Sequence, residues 1–247
     1  ILECYYLKKD KIKFINLFQK IKKQKKMDFN SLAICNYASK QLNIHNNYSF
    51  CSEPINNIAT FNLIKKNKVS TKLLSQIEKD ISSKRKHVNT PKVIGFKSLG
   101  NLYDINTNSI NKCKKIINEC IFKYKKNFKE KNSNLIKKWP KKFTINAWYI
   151  KLKKGGEVLP HIHDGWLSGV FYIKKIKNHK FSSLKSGELE VNYKFSNLKE
   201  FRKNIYKKII YVNQGDLVLF PSSLPHRVVP YKNNQERLSI AFDMKPS

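Results

Sequence analysis

A change of pattern after Trp139-Pro140 constrains the fold of this chain more than any other feature. From about residue 143 onward the sequence consists of short β-branched and aromatic runs separated by Gly, Pro and Asn: FTINAWYIKL, LSGVFYIKKI, ELEVNYKF, KIIYV, DLVLFP, HRVVPY and RLSIAF. Such runs are typical of antiparallel strands in a sandwich or barrel. No helical run interrupts them, which argues against a parallel βαβ sheet.

The part before residue 143 has helical periodicity instead. Two short amphipathic helices joined by the polar stretch KKQKKMD are predicted in the first 50 residues, from the apolar positions Phe14, Phe18 and Ile21 and then Leu32, Cys35, Ala38 and Leu42. The stretch FCSEPINNIATFNL breaks this pattern. A further helix is predicted over about Thr71 to Ile81, and a longer one from about Ser109, a plausible N-cap residue, with an apolar face suited to pack on a sheet.

The composition is strongly basic, with 50 Lys+Arg against 17 Asp+Glu and a formal net charge of +33. Such an excess ordinarily indicates nucleic acid or an anionic surface. Here the lysines are spread along the chain with Asn and Ile, and they form no block flanked by stacking aromatic residues. Nucleic acid is therefore kept as an alternative partner and is not favoured.

Cysteine usage and hydropathy predict a cytoplasmic protein. The five cysteines show no C-x-x-C spacing, and Cys4, Cys35, Cys113 and Cys120 are expected to be small core residues on helices. No stretch has the apolar length of a membrane span. Because the first residue is Ile rather than Met, we expect the chain to be a piece of a longer protein.

Three of the six histidines lie in the β region with a spacing that suits a metal. His161 and His163 precede the strand-like run LSGVFYI, and His226 follows GDLVLFPSSLP. Two histidines one residue apart on a strand point to the same side, and a third could complete a facial triad that leaves three open positions on the metal. The other histidines, His45, His87 and His179, are interpreted as ordinary core or surface residues.

A second pair of polar residues follows the third histidine. Arg237 and Ser239 are two residues apart in RLSIAF, on the same face of a predicted strand. A guanidinium near a metal can bind the far carboxylate of a dicarboxylic acid through two hydrogen bonds, and a neighbouring hydroxyl can donate to the same group.

Taken together and in this order, H-x-H, GDLVLFP, His and R-x-S resemble the double-stranded β-helix of the Fe(II)- and 2-oxoglutarate-dependent oxygenases. More closely, GWLSGVFYI, GDLVLFPSSLPHRVVPY and ERLSIAFD are similar to a 2-oxoglutarate-Fe(II) oxygenase family found as the tail of bacterial tetratricopeptide-repeat proteins. The resemblance covers about Gly95 to the end of the chain. The helical hairpin before FCSEP is a weaker match to a remnant of such a repeat array.

The resemblance implies an α+β fold, a jelly roll supported by helices and preceded by a short helical hairpin. It divides the chain into a helical segment at 1–60, where a protein partner could bind, and an oxygenase-like domain at 61–247 with its β core from about 143. It implies a dioxygenase that hydroxylates an unidentified substrate, with 2-oxoglutarate and O2 as co-substrates. Protein, glycan, metabolite and nucleobase substrates all stay open.

The resemblance also assigns roles to individual residues. Fe(II) would be held by His161, His163 and His226, and 2-oxoglutarate by Arg237 and Ser239. Tyr149 and Tyr172 are candidates for a further hydrogen bond to 2-oxoglutarate, and Trp148 and Trp166 for the substrate entrance.

One ligand is left open, because most members of the broad superfamily have His-x-Asp where this chain has His161 and His163. Asp164 is an alternative ligand if the chain turns at Gly165, since on a regular strand its side chain would face away from both histidines. Two other functions also stay open. The first is a three-histidine cupin enzyme that uses no 2-oxoglutarate, and the second is a catalytically inactive binding module.

Overall fold

The computed structural model describes residues 1–22, 28–44, 50–51, 53–129, 133–175, 186–193, 198–202, 207–232 and 234–247. Most of the predicted KKQKKMD linker, His45 and His179 lie outside these ranges. The described α-helices are α1 Leu2–Leu7, α2 Lys11–Lys22, α3 Phe29–Leu42, α4 Thr71–Lys84, α5 Asn108–Asn127 and α6 Asn134–Lys137, with 3-10 turns at Pro54–Asn57 and Leu102–Asp104. The described strands are β1 Ala59–Asn62, β2 His87–Thr90, β3 Val93–Ser98, β4 Phe143–Leu152, β5 Glu157–His161, β6 Leu167–Lys174, β7 Leu189–Asn192, β8 Lys207–Ile210, β9 Asp216–Pro221, β10 His226–Val228 and β11 Arg237–Pro246.

The strands form one curled sheet in the order β1-β9-β6-β11-β4-β3-β5-β10-β7-β8, with β2 beside β3. Each pairing of the described strands is antiparallel. The central strand β11 pairs with β4 on one side and with β6 on the other. The sequence predicted β4 with its observed bounds, but it missed β1, β2, β3 and β5, which are short and pair mostly with distant parts of the chain.

Helices α4 and α5 cover one face of the sheet. Leu74 of α4 and Ile117 of α5 are fully buried in one cluster with strand residues such as Leu217 and Phe242. Helix α5 begins two residues earlier than expected, because its N-cap is Thr107 and not Ser109, and the Thr107 hydroxyl accepts the hydrogen bond from Ile110 N. The Ser109 hydroxyl instead donates to Asp80 of α4 and so ties the two helices together.

The first three helices pack on the segment that follows β7. Tyr6 and Tyr37 share an apolar cluster with Tyr193 and Leu198. Gln41 Oε1 accepts from the backbone N–H groups of residues 201 and 202 at 2.7 Å each, and its Nε2 donates to the carbonyl of residue 202 at 3.1 Å. The predicted boundary at residue 60 and the repeat remnant both stay predictions, and these contacts cross that boundary.

The cysteines follow the helical faces, with one exception. Cys35, Cys113 and Cys120 are buried, and all five cysteines are free thiols. The expectation that Cys4 is a core residue was wrong: on α1 the buried residues are Leu2 and Tyr6, and Cys4 lies on the exposed side. Within the described ranges, none of the helices combines the length and apolar character needed to span a membrane. The cytoplasmic location stays a prediction.

Candidate metal and 2-oxoglutarate site

A cavity of about 480 Å³ opens on the face of the sheet away from α4 and α5. Strand alternation decides which side chains line it. On β11 the alternate residues Arg237, Ser239, Ala241 and Asp243 all line the cavity. The neighbouring strands add Trp148 and Ile150 of β4 and Ser168, Val170 and Tyr172 of β6.

Three histidines meet at this cavity. His161 is the last residue of β5, His226 is the first of β10, and the two are register partners across that strand pair. His163 lies in the loop beyond β5, so the expectation that strand alternation aligns it with His161 was wrong. The loop brings it in instead, because His163 N donates to Ser222 O at 3.1 Å. One candidate ligand atom from each histidine lies within 4.8 Å of the others.

Each imidazole is held by its Nδ1 atom. His161 Nδ1 lies 2.7 Å from Leu159 O, His226 Nδ1 lies 2.9 Å from Leu224 O, and His163 Nδ1 lies 2.9 Å from Asp243 Oδ2. A carbonyl or a carboxylate only accepts, so Nδ1 carries the proton in all three rings. In a neutral ring of this tautomer, Nε2 keeps the lone pair that binds a metal.

Burial keeps the histidines of β5 and β10 neutral. Loss of hydration, followed by the neighbouring His163, lowers the pKa of His161 to about 4. The same two effects, with His161 as a further neighbour, lower the pKa of His226 well below its ordinary value. Neutral imidazole is the form that ligates a cation, so His161 and His226 can bind a metal without first losing a proton.

The carboxylate beside the histidines is not the one the sequence suggested. Asp164 is exposed and lies outside the cluster of candidate ligand atoms, although it borders the cavity. Asp243 of β11 is buried and faces His163. The sequence prediction missed Asp243. Its even spacing from Arg237 on one strand could have identified it, because that spacing puts both side chains on the cavity face.

Arg237 sits in the same cavity, 1% exposed. Its Nη1 donates to Ser239 Oγ at 3.2 Å, whereas Nε and Nη2 have no hydrogen-bond partner in the described part of the chain. The buried carboxylate of Glu188 forms an ion pair with Lys175, whose Nζ lies 2.5 Å from Glu188 Oε1. A buried guanidinium with two unused donors requires an anion.

The predicted aromatic residues divide by face. Tyr172 lines the cavity with its ring 5.0 Å from the Arg237 guanidinium carbon, and burial raises its pKa to about 12, with Arg237 opposing that rise. Trp148 lines the cavity and stacks on His163 at 5.5 Å between ring centroids.

Tyr149 and Trp166 are not at the cavity. Both belong to the core cluster under the helices, and the Trp166 indole donates to Leu135 O. Alternation explains the position of Tyr149, because its neighbours Trp148 and Ile150 face the cavity.

The cavity thus has two unsatisfied groups of opposite kind. The histidine cluster offers three lone pairs and suits a divalent cation that accepts nitrogen ligands, such as Fe(II). Arg237 offers two free N–H donors and suits a carboxylate. The residues present therefore fit Fe(II) together with 2-oxoglutarate.

Residues 146–243 match the family model described as "Putative 2OG-Fe(II) oxygenase". The match covers less than half of the chain and includes His161, His163, His226 and Arg237. It supports the predicted class of 2-oxoglutarate-dependent dioxygenase and its use of Fe(II), 2-oxoglutarate and O2. The predictions of enzyme class and cofactors are confirmed.

Solved structures show the fold of the oxygenase. A Pseudomonas putida prolyl-4-hydroxylase is 14% identical, with 77% of this chain and 93% of that chain covered and a TM-score of 0.50. A prolyl hydroxylase from Trichoplax adhaerens, solved with a hypoxia inducible factor peptide, is 12% identical, with 93% and 92% covered and a TM-score of 0.52. The α-ketoglutarate-dependent epimerase SnoN of nogalamycin biosynthesis is 6% identical, with 77% and 78% covered and a TM-score of 0.52.

These similarities confirm the predicted α+β fold with a double-stranded β-helix in the oxygenase. No curated protein matches the chain. The link to tetratricopeptide-repeat proteins stays a prediction.

Proposed function

We propose that the oxygenase hydroxylates a second substrate while converting 2-oxoglutarate to succinate. The overall reaction consumes one 2-oxoglutarate, one O2 and one C–H bond, and it yields succinate, CO2 and a C–OH group. One oxygen atom enters succinate and the other enters the product, so atoms and electrons balance without a further reductant.

His161, His163 and His226 would hold the iron through their Nε2 atoms. When bound, Fe(II) supplies a redox-active centre at which the keto acid and O2 react together. Three neutral ligands leave the metal one charge more positive than two histidines and a carboxylate do. The negative charge of 2-oxoglutarate therefore contributes more to the charge balance of this site than it would beside a ligating Asp.

Arg237 would bind the far carboxylate of 2-oxoglutarate through Nε and Nη2, the two donors that have no partner in the described residues. Ser239 accepts from Nη1 and so fixes the direction of the guanidinium fork. Tyr172, whose ring lies beside Arg237, could donate its hydroxyl to the same carboxylate. Burial of these groups excludes water and strengthens each charged contact.

The single observation that carries the proposal is the presence of both unsatisfied groups in one cavity. A metal cupin of another chemistry needs the histidines but not a buried arginine with two free donors. An inactive binding module needs neither group.

Anaerobic addition of Fe(II) and 2-oxoglutarate tests the proposal. A chelated keto acid gives a weak visible absorption band, and we expect this band in the wild-type protein and not in a His226→Ala control. On admission of O2, succinate should form slowly even without a second substrate. Absence of both signals from a protein that binds iron would favour the cupin alternative, and failure to bind iron would favour the binding module.

The second substrate is addressed by mass spectrometry. The enzyme is incubated with cell lysate, Fe(II), 2-oxoglutarate and labelled O2, and compared with His226→Ala enzyme under the same conditions. We expect a molecule that gains one labelled oxygen atom only with the wild-type enzyme. Labelled products equal in both samples would contradict the proposed role of the site.

A further inference from the structure

The loop that carries His163 is held closely against the sheet. The backbone N–H of His163 bonds to Ser222, and three residues later Trp166 N donates to Met244 O at 2.8 Å. Gly165 lies between them, and a Cβ there would be in tight contact, 3.0 Å from Ser222 Oγ and 3.3 Å from Asp243 Cβ. The loop is therefore pressed directly onto β11 and its neighbours.

Asp243 is the centre of these contacts. Its Oδ2 accepts from His163 Nδ1 at 2.9 Å, and its Oδ1 accepts from Ser168 Oγ at 2.7 Å. The Ser168 hydroxyl in turn lies 2.8 Å from Ser222 Oγ. Asp243 is 5% exposed and forms no ion pair with Lys or Arg in the described part of the chain.

A buried carboxylate without a lysine or arginine partner is costly unless hydrogen bonds hold it. Here one of those bonds comes from a ring whose far nitrogen faces the candidate metal position. Among the described residues, the Nδ1 partners of His161 and His226 are backbone carbonyls. A carboxylate behind an imidazole fixes the ring orientation and tautomer and makes the metal-binding nitrogen more basic.

We infer that Asp243 is the positioning residue of His163, and that it supplies through this ring the negative charge that a ligating Asp would supply directly. The inference rests on the proposed iron site. It also explains how the chain can have His163 where the broad superfamily has a carboxylate. Here the carboxylate belongs to Asp243 on β11, and it contacts the histidine ring by a hydrogen bond instead of contacting the metal.

Cobalt(II) titration without 2-oxoglutarate or O2 tests this inference apart from catalysis. Asp243→Asn keeps the size of the side chain and removes its charge, and Asp243→Ala removes charge and acceptor. We expect cobalt affinity to fall several-fold in Asp243→Asn and by about 10- to 100-fold in Asp243→Ala. The control is Asp216→Asn, a buried carboxylate in β9 held by Asn62 and the backbone N–H of Asn213, which should bind cobalt like the wild type.

The cobalt titrations distinguish failure of the three-histidine site from failure of the role proposed for Asp243. If His226→Ala also keeps wild-type cobalt affinity, the three-histidine site itself is wrong. If His226→Ala loses cobalt but both Asp243 variants keep wild-type affinity, only the role of Asp243 is overturned. An equal loss in Asp216→Asn and Asp243→Asn would mean a general structural effect and would also overturn it.

A measurement on the unaltered protein removes any dependence on how the variants fold. Nitrogen NMR of the metal-free protein should show His163 protonated at Nδ1 and unprotonated at Nε2, with the Nδ1 proton protected from exchange by Asp243. A His163 ring protonated at Nε2, or one that averages between tautomers, would overturn the inference.

Discussion

The two ends of the cavity are built in opposite ways. At the histidine end every Nδ1 atom already has an acceptor and the nitrogens left over are lone-pair donors to a metal. At the arginine end the groups left over are N–H donors, and the guanidinium is more deeply buried than any of the three imidazoles. The histidine end therefore needs a bound cation, and the arginine end needs a bound anion.

This difference indicates why a single ligand pair suits the cavity. The histidines come from two strand ends and a loop, so backbone contacts place them, and the Asp243 carboxylate also orients the His163 ring. Arg237 instead lies on the central strand, where its orientation depends on Ser239 and on packing beside Tyr172. Metal binding and co-substrate binding should therefore respond separately to substitution.

The largest effect is expected at the histidine end. Alanine at His161, His163 or His226 should abolish tight iron binding and uncoupled turnover of 2-oxoglutarate, because two ligands cannot fix the metal geometry. Asp164→Ala should keep about one iron per chain and lose at most some activity. Iron analysis of the purified variants checks this. The opposite order, with iron lost in Asp164→Ala and kept in His163→Ala, would make Asp164 the third ligand.

Substitution of Arg237 should weaken the binding of 2-oxoglutarate and leave iron binding intact. Arg237→Lys keeps the charge but not the planar pair of donors, so binding should weaken by about 1.5–3 kcal/mol, the scale of a hydrogen bond to a charged group. Titration of the keto-acid absorption band measures this. Saturation at the wild-type 2-oxoglutarate concentration would show that the co-substrate binds elsewhere.

A smaller effect is expected for Ser239. Ser239→Ala removes the acceptor of Arg237 Nη1 but leaves the guanidinium in place, so 2-oxoglutarate affinity should fall by about 0.5–1.5 kcal/mol. The same absorption titration measures it, with Ala241→Ser on the same strand face as a control for altered packing. A loss larger than that of Arg237→Lys would mean that the hydroxyl and not the guanidinium anchors the ligand.

The smallest effect is expected away from the cavity, in the binding of DNA to the basic surface. Binding to DNA should be weak, indifferent to base sequence and lost steeply as salt rises, because a spread of lysines contacts only phosphates. Fluorescence anisotropy with two unrelated duplexes and one single strand checks this at several salt concentrations. Discrimination between sequences at physiological salt would instead favour a nucleobase as the substrate.

Long strands and the polar residues on them were the predictable part of this molecule. The run FTINAWYIKL is rich in β-branched and aromatic residues, and β4 has the predicted bounds. The spacing of Arg237 and Ser239 correctly placed both on one face. The same alternation places Tyr149 on the opposite face of β4 from Trp148 and so outside the cavity.

The remaining features depend on contacts between distant parts of the chain. Strands β3 and β5 are defined by pairing with each other and with strands elsewhere, and neither has a long alternating run. Asp243 gains its partner from a loop that lies far earlier in the sequence, and His163 reaches the cluster through a backbone bond to Ser222. Local sequence carries no information on such pairings, because only the closed sheet creates them.

The central claim is that one cavity holds a cation at its histidines and a carboxylate at its arginine. An anaerobic crystal structure with Fe(II) and 2-oxoglutarate tests it most directly. The account predicts iron bound by the Nε2 atoms of His161, His163 and His226, with the far carboxylate of 2-oxoglutarate on Nε and Nη2 of Arg237. Iron bound by the Asp164 carboxylate, or 2-oxoglutarate with its far carboxylate away from Arg237, would contradict it.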